Sequence, residues 1–513
     1  MVKNKIFLFI MIILISLFYA CTPKINNTQK DRLIIATYGD PHGLNPFLND
    51  NRMWGRIAYC VFEGLLGRDD KGNIIPRLAE TWEETEEGIR FNLVRGVQFH
   101  DDTYLTPEVV VWNIQMWGNS PAVTTGMDWI RFEQAHVINE YSVFLPTDYK
   151  SYLTLTNLAS RNMFIISKTA YENNSAGFNL KPIGTGPFVL SEWIQDHNIN
   201  LKKFDKYWGG QTTHLKEIVF RVIPEFTQQL IELETGNVDV ILDIPIVSYN
   251  EMINNNSISI WDFPKATSDL LWFNCQAEHF SNPLVRQAVA YALNIREIWL
   301  GTYFGIGEPG FTVVPIGIYG VSEEWSKENW PYGWDTSNID KSNELMLKAG
   351  YSNGIDVELT VDTDINRLNA ATIIANQLNK VNIRTTIRSF DSATVATYTM
   401  YGNHQMTLDG SNANNGSIDA AFSSRFISAS AIVGSLSRCK WSNKEFDTLV
   451  VAAAKSHDDL ERIELYKQAQ KIIVDEVPAI PYNDRLLVVA SSNRVKGLYV
   501  NGEFIVFASA YIE

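Results

Sequence analysis

Asp362, Asp364 and Asn366 stand at the alternate spacing with which a calcium-binding loop begins. Such a loop needs glycine at its sixth position for the sharp turn and a bidentate glutamate at its twelfth. Arg367 and Ile373 occupy those places, so this triplet does not make a calcium loop. A zinc-protease helix carries two histidines one turn apart with a glutamate between them; none of the eight histidines has that partner. Gly184 and Gly186, in Gly184-Thr185-Gly186-Pro187-Phe188, suggest a phosphate-cradling loop. No Gly-Lys-Ser/Thr follows, and Pro187 removes a backbone donor that such a loop would use. His100, Asp101 and Asp102 are three successive residues that cannot easily converge on one ion, and they read as a solvated turn. No Gly-x-Ser-x-Gly elbow is present. No catalytic constellation emerges, no cofactor or metal is implied, and the residue chemistry favours binding over catalysis.

The amino terminus carries a different chemistry. Lys3 and Lys5 precede an apolar run from Ile6 to Ala20, broken only by Ser16 and followed by Cys21. The run is shorter than the ~20 apolar residues that cross a bilayer. A basic start, an apolar middle and a small residue at the cut site form an export signal. The segment resembles the box of bacterial lipoproteins, in which the cysteine after the cut takes the acyl chains. Phe18 and Tyr19 depart from it, standing where smaller or aliphatic residues are usual. The alternative is ordinary cleavage with Cys21 a bystander. On the lipoprotein reading, residues 1–20 are removed, Cys21 is lipidated, and residues 21–30 form a polar tether.

The elements that must hold a binding site follow from size and pattern. Even without its first twenty residues, the 513-residue chain exceeds what one core of ~250–300 residues serves, so two or three compact units are expected. Charged residues at 20% and hydrophobic ones at 45% describe a soluble globular protein, and no later apolar run is long enough to span a membrane. A net charge of −15 argues against nucleic acid, whose affinity comes from Lys and Arg on phosphates. Glu80, Glu83, Glu84, Glu86 and Glu87 read as a solvated turn. With Cys21 lipidated, Cys60, Cys275 and Cys439 remain; one bridge, Cys275 to Cys439, is an option, and three buried thiols are the other.

Short strands alternate with amphipathic helices, the pattern of α/β units. Leu33 to Thr37 is a strand breaking at Tyr38-Gly39-Asp40-Pro41, and a loop at a strand end is a natural ligand edge. Thr106-Pro107 starts a helix, capping residue before proline. Ile218 to Ile223, Phe226 to Thr235 and Val238 to Leu242 make a βαβ unit punctuated by Gly236. Helices follow over Leu284 to Leu293, Ile339 to Ala349 and Ala370 to Leu378, with strands at Asp356 to Val361 and Ile383 to Ile387. Two apolar stripes close the chain: Phe446, Leu449, Val450 and Ala453, then Leu460, Ile463, Tyr466 and Ile473. An Asn-Gly-Ser tract from Gly410 to Ser417 is too short to link domains. No repeat of fixed period is visible.

Several short motifs then recur in a familiar order. They include Leu44-Asn45-Pro46-Phe47, Phe62-Glu63-Gly64-Leu65-Leu66, Pro76-Arg77-Leu78-Ala79-Glu80-Thr81-Trp82, and the run Phe91 to Asp101. Gly184 to Phe188 with Trp193, Lys206-Tyr207-Trp208-Gly209-Gly210, Gly236-Asn237-Val238-Asp239 and Phe273-Asn274 follow. Val285-Arg286-Gln287-Ala288, then Asp447, Arg462, Tyr466 and Pro478-Ala479-Ile480-Pro481-Tyr482 complete the string. From about Leu33 onward the chain resembles the extracytoplasmic solute-binding proteins of ABC importers, family 5, the oligopeptide, dipeptide and nickel class.

That resemblance implies an α/β, two-lobed periplasmic-binding-protein fold (type II, large three-domain variant) with a hinge and an interlobe cleft. Transferred here, 31–54, 184–266 and 485–513 build the core domain of lobe 1, 55–183 an inserted domain, and 267–484 lobe 2. The hinge would cross near Phe263 to Leu271 and again near Ile480 to Leu487. The implied function is a lipid-anchored, monomeric binding component that captures an oligopeptide and delivers it to the permease. It would sit on the periplasmic or cell-surface face of a bacterial membrane, held there by lipid alone. In peptide-binding members an aspartate in a Gly-Trp-x-x-Asp stretch takes the peptide's amino terminus, and here Ser411 and Asn414 replace its Trp and Asp. An oligosaccharide is therefore the alternative cargo, since amides and aromatic platforms suit sugars. The 14 Trp and 21 Tyr supply ample aromatics, though most should be core. The expected cleft residues are Tyr38, Gly39, Trp129, Trp272, Asn412, Asn414 and Tyr482. A surface-anchored hydrolase and a sensory or adhesion lipoprotein are the competing classes.

Overall fold

The computed structural model describes residues 31–513 except 49–51, 70–71, 121–126, 128, 161–162, 211–212, 414–415, 457 and 502–503. The export segment, Cys21, the tether and Asn414 lie outside the described residues.

One ten-stranded sheet runs through the molecule. Its strands, in chain order, are β1 (Arg32–Thr37), β2 (Phe188–Ile194), β3 (Asn198–Lys203), β4 (Glu217–Val222), β5 (Val240–Ile241), β6 (Ile258–Phe273), β7 (Ile355–Val361), β8 (Ile383–Ser389), β9 (Met406–Asn412) and β10 (Ala479–Ser492). Their spatial order is β2-β3-β4-β1-β5-β10-β6-β9-β7-β8. At one end β1 lies parallel between β4 and β5; at the other, β7 lies parallel between β8 and β9. Leu33, Ile35 and Ala36 on β1, and Leu359 and Val361 on β7, have no exposed surface, as expected of parallel strands covered on both faces.

The long antiparallel pair β6 and β10 joins the two parallel ends. Its ladder runs from Ile258 opposite Ser492 to Trp272 opposite Ala479, and its register shifts between Pro264 and Ser268. Pro264 faces Leu486 and Ser268 faces Asp484, so Lys265, Ala266 and Thr267 stand against Arg485 alone. Extra residues on one strand bend it and raise its local twist. Apolar packing divides on either side of this bulge. One set of cores gathers residues 33–258 with the carboxyl-terminal segment, and another gathers residues 270–482.

Local sequence accounts for most elements. Thr106 caps the helix Pro107–Gly118 by accepting from the Val109 amide, and Gly236, at φ +76°, stops the helix Phe226–Glu234. The Asn-Gly-Ser tract is not a loop throughout: Gly410, Ser411 and Asn412 end β9, paired with Asp269, Ser268 and Thr267. The final apolar stripe is shifted. Helix Asp459–Glu476 buries Arg462, Tyr466, Ala469, Gln470, Ile473 and Val474, while Leu460 is 79% exposed. Leu460 lies two residues from Arg462 in the sequence, about 200° around the helix, and so faces away.

Among the described residues Cys60, Cys275 and Cys439 are free, so the option of a Cys275–Cys439 bridge is corrected. The Cys275 amide donates to the Cys439 carbonyl at 2.8 Å, which makes the two backbones neighbours. The thiols turn to other partners: Cys275 Sγ lies 3.7 Å from the Phe273 carbonyl, and Cys439 Sγ 3.3 Å from that of Arg425.

Candidate functional site

Parallel strands leave their loops at their carboxyl ends, and open α/β sheets take ligands in the crevice outside those ends. On one side of the bulge, β1 runs into Tyr38 and Gly39, and β5 into Asp243 to Pro245. On the other, β7 runs into Asp362 and Asp364, and β9 ends on Asn412. These two edges meet over the long strand pair. A cavity of about 230 Å³ lies there, lined by Asp243 and Ile246 on one side, Tyr303, Asp364 and Asn366 on the other, and by Lys265, Asn483, Asp484 and Arg485 of the joining strands.

A larger cavity, about 760 Å³, opens between segment 129–154 and residues 419–454. Its size falls in the range of small-ligand sites. One wall presents Trp129 stacked on Tyr149, centroids 5.9 Å apart, with the indole N–H donating to Thr154 Oγ1 at 2.8 Å. Arg131 and Asp148, also on this wall, pair with each other, Nε to Oδ1 at 2.7 Å. The opposite wall carries Asp419, Ser423, Ser424, Ser430, Ser435 and Leu436. The walls touch beside the cavity: Ser151 Oγ donates to the Ala454 carbonyl at 2.7 Å, and Lys455 Nζ lies 4.9 Å from the Tyr149 ring centre.

The joining strands carry a charged network. Asp269 on β6 is fully buried and accepts from Arg485 Nε at 2.9 Å, from Asn483 Nδ2 at 3.1 Å, and from the Tyr303 hydroxyl. Burial alone would raise this carboxyl, but the Arg485 charge and hydrogen bonds, with Arg367 and Tyr303, outweigh it and hold it at about 2. Asp484, opposite Ser268 one position along the ladder, behaves oppositely. Burial pushes Asp484 up to about 7, opposed by the Ser268 hydroxyl and the Ile316 amide. A carboxyl whose folded pKa is raised costs stability as pH climbs from the unfolded value near 4 toward 7, because only the unfolded chain then ionises freely. Asp484→Asn is therefore expected to flatten the loss of stability between pH 5 and 8. Denaturant unfolding at both pH values checks this, and an unchanged slope would refute it.

The calcium-like triplet has a structural explanation. Arg367, the residue that displaces the required glycine, pairs with Asp362 and reaches Asp409 Oδ1 at 3.2 Å; Arg438 Nε holds the other oxygen of Asp409 at 2.9 Å. Among the described residues no group of three or more His, Cys, Asp or Glu is placed to hold a metal.

The expected cleft residues separate. Trp129 lines the large cavity. Tyr38, 53% exposed, and Gly39, with open space about it, stand at the carboxyl edge of β1. Asn412 ends β9 half-buried. Trp272 and Tyr482 are sealed in the cores on the far side of the bulge, Trp272 tilted against Phe426 and Tyr482 among the residues around Leu271 and Ile480. Sequence reasoning missed Arg131, Tyr149 and Asp419. Their common signal was position just beyond a loop or strand end, too weak to select them.

With this geometry in view, known proteins can be compared. The family model of bacterial extracellular solute-binding proteins, family 5 Middle, matches residues 73–431. The glutathione-binding protein GsiB of Escherichia coli (strain K12) is 27% identical over 485 residues, 91% of this chain and 92% of its own. The periplasmic binding protein DppA of Helicobacter pylori, in complex with the peptide STSA, superposes with a TM-score of 0.81 at 23% identity, covering 94% of this chain and 98% of that one. A dipeptide-binding protein of Pseudoalteromonas sp. SM9913, in complex with Met-Leu, gives a TM-score of 0.81 at 22% identity over 94% and 100%. The two-lobed α/β architecture is thus that of the periplasmic binding proteins. The chain belongs to the bacterial extracellular solute-binding proteins of family 5.

Proposed function

We propose that this protein is the lipid-anchored capture component of an ABC importer, closing two lobes on an oligopeptide outside the cytoplasm and presenting it to a permease. The observation that carries this reading is the cavity of about 760 Å³ walled by Trp129 and Tyr149 on one lobe and Asp419 and four serines on the other. A ligand there gains contacts from both walls only when they meet, so its binding shifts the population toward the closed form. The named relatives, a glutathione-binding protein and peptide complexes, support a short peptide as cargo. It does no covalent chemistry on its guest, needs no cofactor, and acts as a monomer. Cys21 carries the acyl chains, so Cys21→Ser would move the protein from the detergent phase to the aqueous one. An oligosaccharide is the second reading, favoured by the stacked aromatic pair beside so many hydroxyls.

A thermal-shift screen of tripeptides and glycans against the mature protein tests the cargo. A ligand at 100 times its dissociation constant adds roughly 2.7 kcal/mol of stability. Trp129→Ala is expected to weaken binding of the best hit by about 2- to 10-fold, the worth of one aromatic platform. Unchanged affinity by calorimetry would remove Trp129 from the site.

A further inference from the structure

The walls of the large cavity are joined directly, protein to protein, at one end of the helix Lys444–Lys455. Ser151 is 1% exposed and its hydroxyl serves both lobes. Its Oγ accepts from the Leu153 amide at 3.2 Å, capping the helix Tyr152–Leu158 on one lobe, and donates to the Ala454 carbonyl on the other at 2.7 Å. That carbonyl is an orphan of a helix end. Ser456 turns its amide back onto the Ala452 and Ala453 carbonyls, and the Asp458 amide, which a continued helix would have aimed at Ala454, goes to Ser456 Oγ at 3.2 Å. Ala454 itself packs against the core of the lobe that carries Ser151. Next to it, Lys455 Nζ stands 4.9 Å from the Tyr149 ring centre, a cation–π distance. The lobes also approach closely elsewhere: Arg68 Nη1 lies 3.4 Å from where a Cβ on Gly416 would stand.

We propose that Ser151 and Lys455 form a latch that draws the two lobes shut on its own account, with Ser151 a positioning residue for capture rather than a contact of the guest. Neither the hydroxyl–carbonyl bond nor the ammonium–ring contact passes through the cavity, so both act on closure whatever the cavity holds. Opening the lobes parts a buried donor from its acceptor and returns each to water, so the net worth of the bond is modest. A modest bias is what a capture protein can use. A guest then meets lobes already inclined to close and supplies less of the closing free energy from its own contacts.

Small-angle X-ray scattering of the mature protein, stripped of guest by unfolding and refolding, tests the latch. No guest is added, so the result bears on the latch and not on the peptide reading. Wild type is expected to show a measurable closed population. Ser151→Gly is expected to move the open-to-closed ratio about 2- to 10-fold toward open. Glycine serves nearly as well as serine at a helix N-cap, so the unfolding midpoint of this variant should stay close to that of wild type. Lys455→Met, which leaves Ser151 in place, should shift the ratio about 2- to 5-fold. Ser151→Thr keeps both hydroxyl bonds and should restore the wild-type ratio. A stripped wild type that is wholly open overturns the proposal. So does a folded Ser151→Gly whose ratio is unchanged, because Ser151 would then be a cap and nothing more. Should Ser151→Gly fail to fold, an unchanged ratio in Lys455→Met overturns the proposal equally.

Discussion

Arg485→Ala is expected to cost about 3–5 kcal/mol of folding stability at neutral pH. The reason lies in what the arginine leaves behind. Asp269 has no exposed surface and sits on the long strand shared by both lobes. Without the guanidinium it keeps the Tyr303 hydroxyl and the Asn483 amide, which cannot offset a dry negative charge. The carboxyl would then titrate upward. Wild-type Asp269, held at about 2, contributes stability above pH 4 and loses it as the pH falls toward 2; the variant should lose it at higher pH. Denaturant unfolding between pH 3 and 7 reads both effects. The double variant Asp269→Asn with Arg485→Met, which removes both charges, should recover most of the loss. A cost under about 1 kcal/mol in the single variant would mean that water reaches the pair and screens it.

Trp272→Ala should cost about as much, 3–5 kcal/mol, for an apolar reason. The indole is fully buried, its centroid 5.2 Å from that of Phe426, with Arg425 at 5.9 Å from its ring centre and its N–H on the Asp409 carbonyl at 3.0 Å. Truncation opens a cavity that close-packed neighbours fill only in part. Trp272→Phe keeps most of the area and loses one hydrogen bond, so about 1–2 kcal/mol is expected. A residue that touched the ligand would show the opposite profile, with affinity lost and stability kept. Unfolding and calorimetry on the same two variants separate the outcomes.

Much of this architecture was legible from period and punctuation. Capping at Thr106, the stop at Gly236 and the buried runs of β1 and β7 follow from side-chain chemistry acting within a few residues. What sequence concealed is orientation and pairing at long range. Trp272 and Tyr482 are aromatic and near the expected hinge crossings, yet the inner halves of β6 and β10 are buried on both faces, so aromatic type there says nothing about the cleft. Asp409 and Asp419 lie ten positions apart in similar strings. Only the fold brings two arginines to the first and a hydroxyl to the second. The thiols of Cys275 and Cys439 teach the same lesson, since adjacent backbones do not decide where sulfur points.

The place of β10 in the sheet has a consequence for how the molecule is made. Among the described residues, the half ending at β5 and the half beginning at β6 share no ladder with each other; β10, from the last thirty-five positions of the chain, slots between them. It is the keystone of an arch whose two sides meet only through it. A chain made amino end first can pair the strands of both flanks early, but the sheet cannot join across them until β10 arrives, so its closure waits on the last of its ten strands.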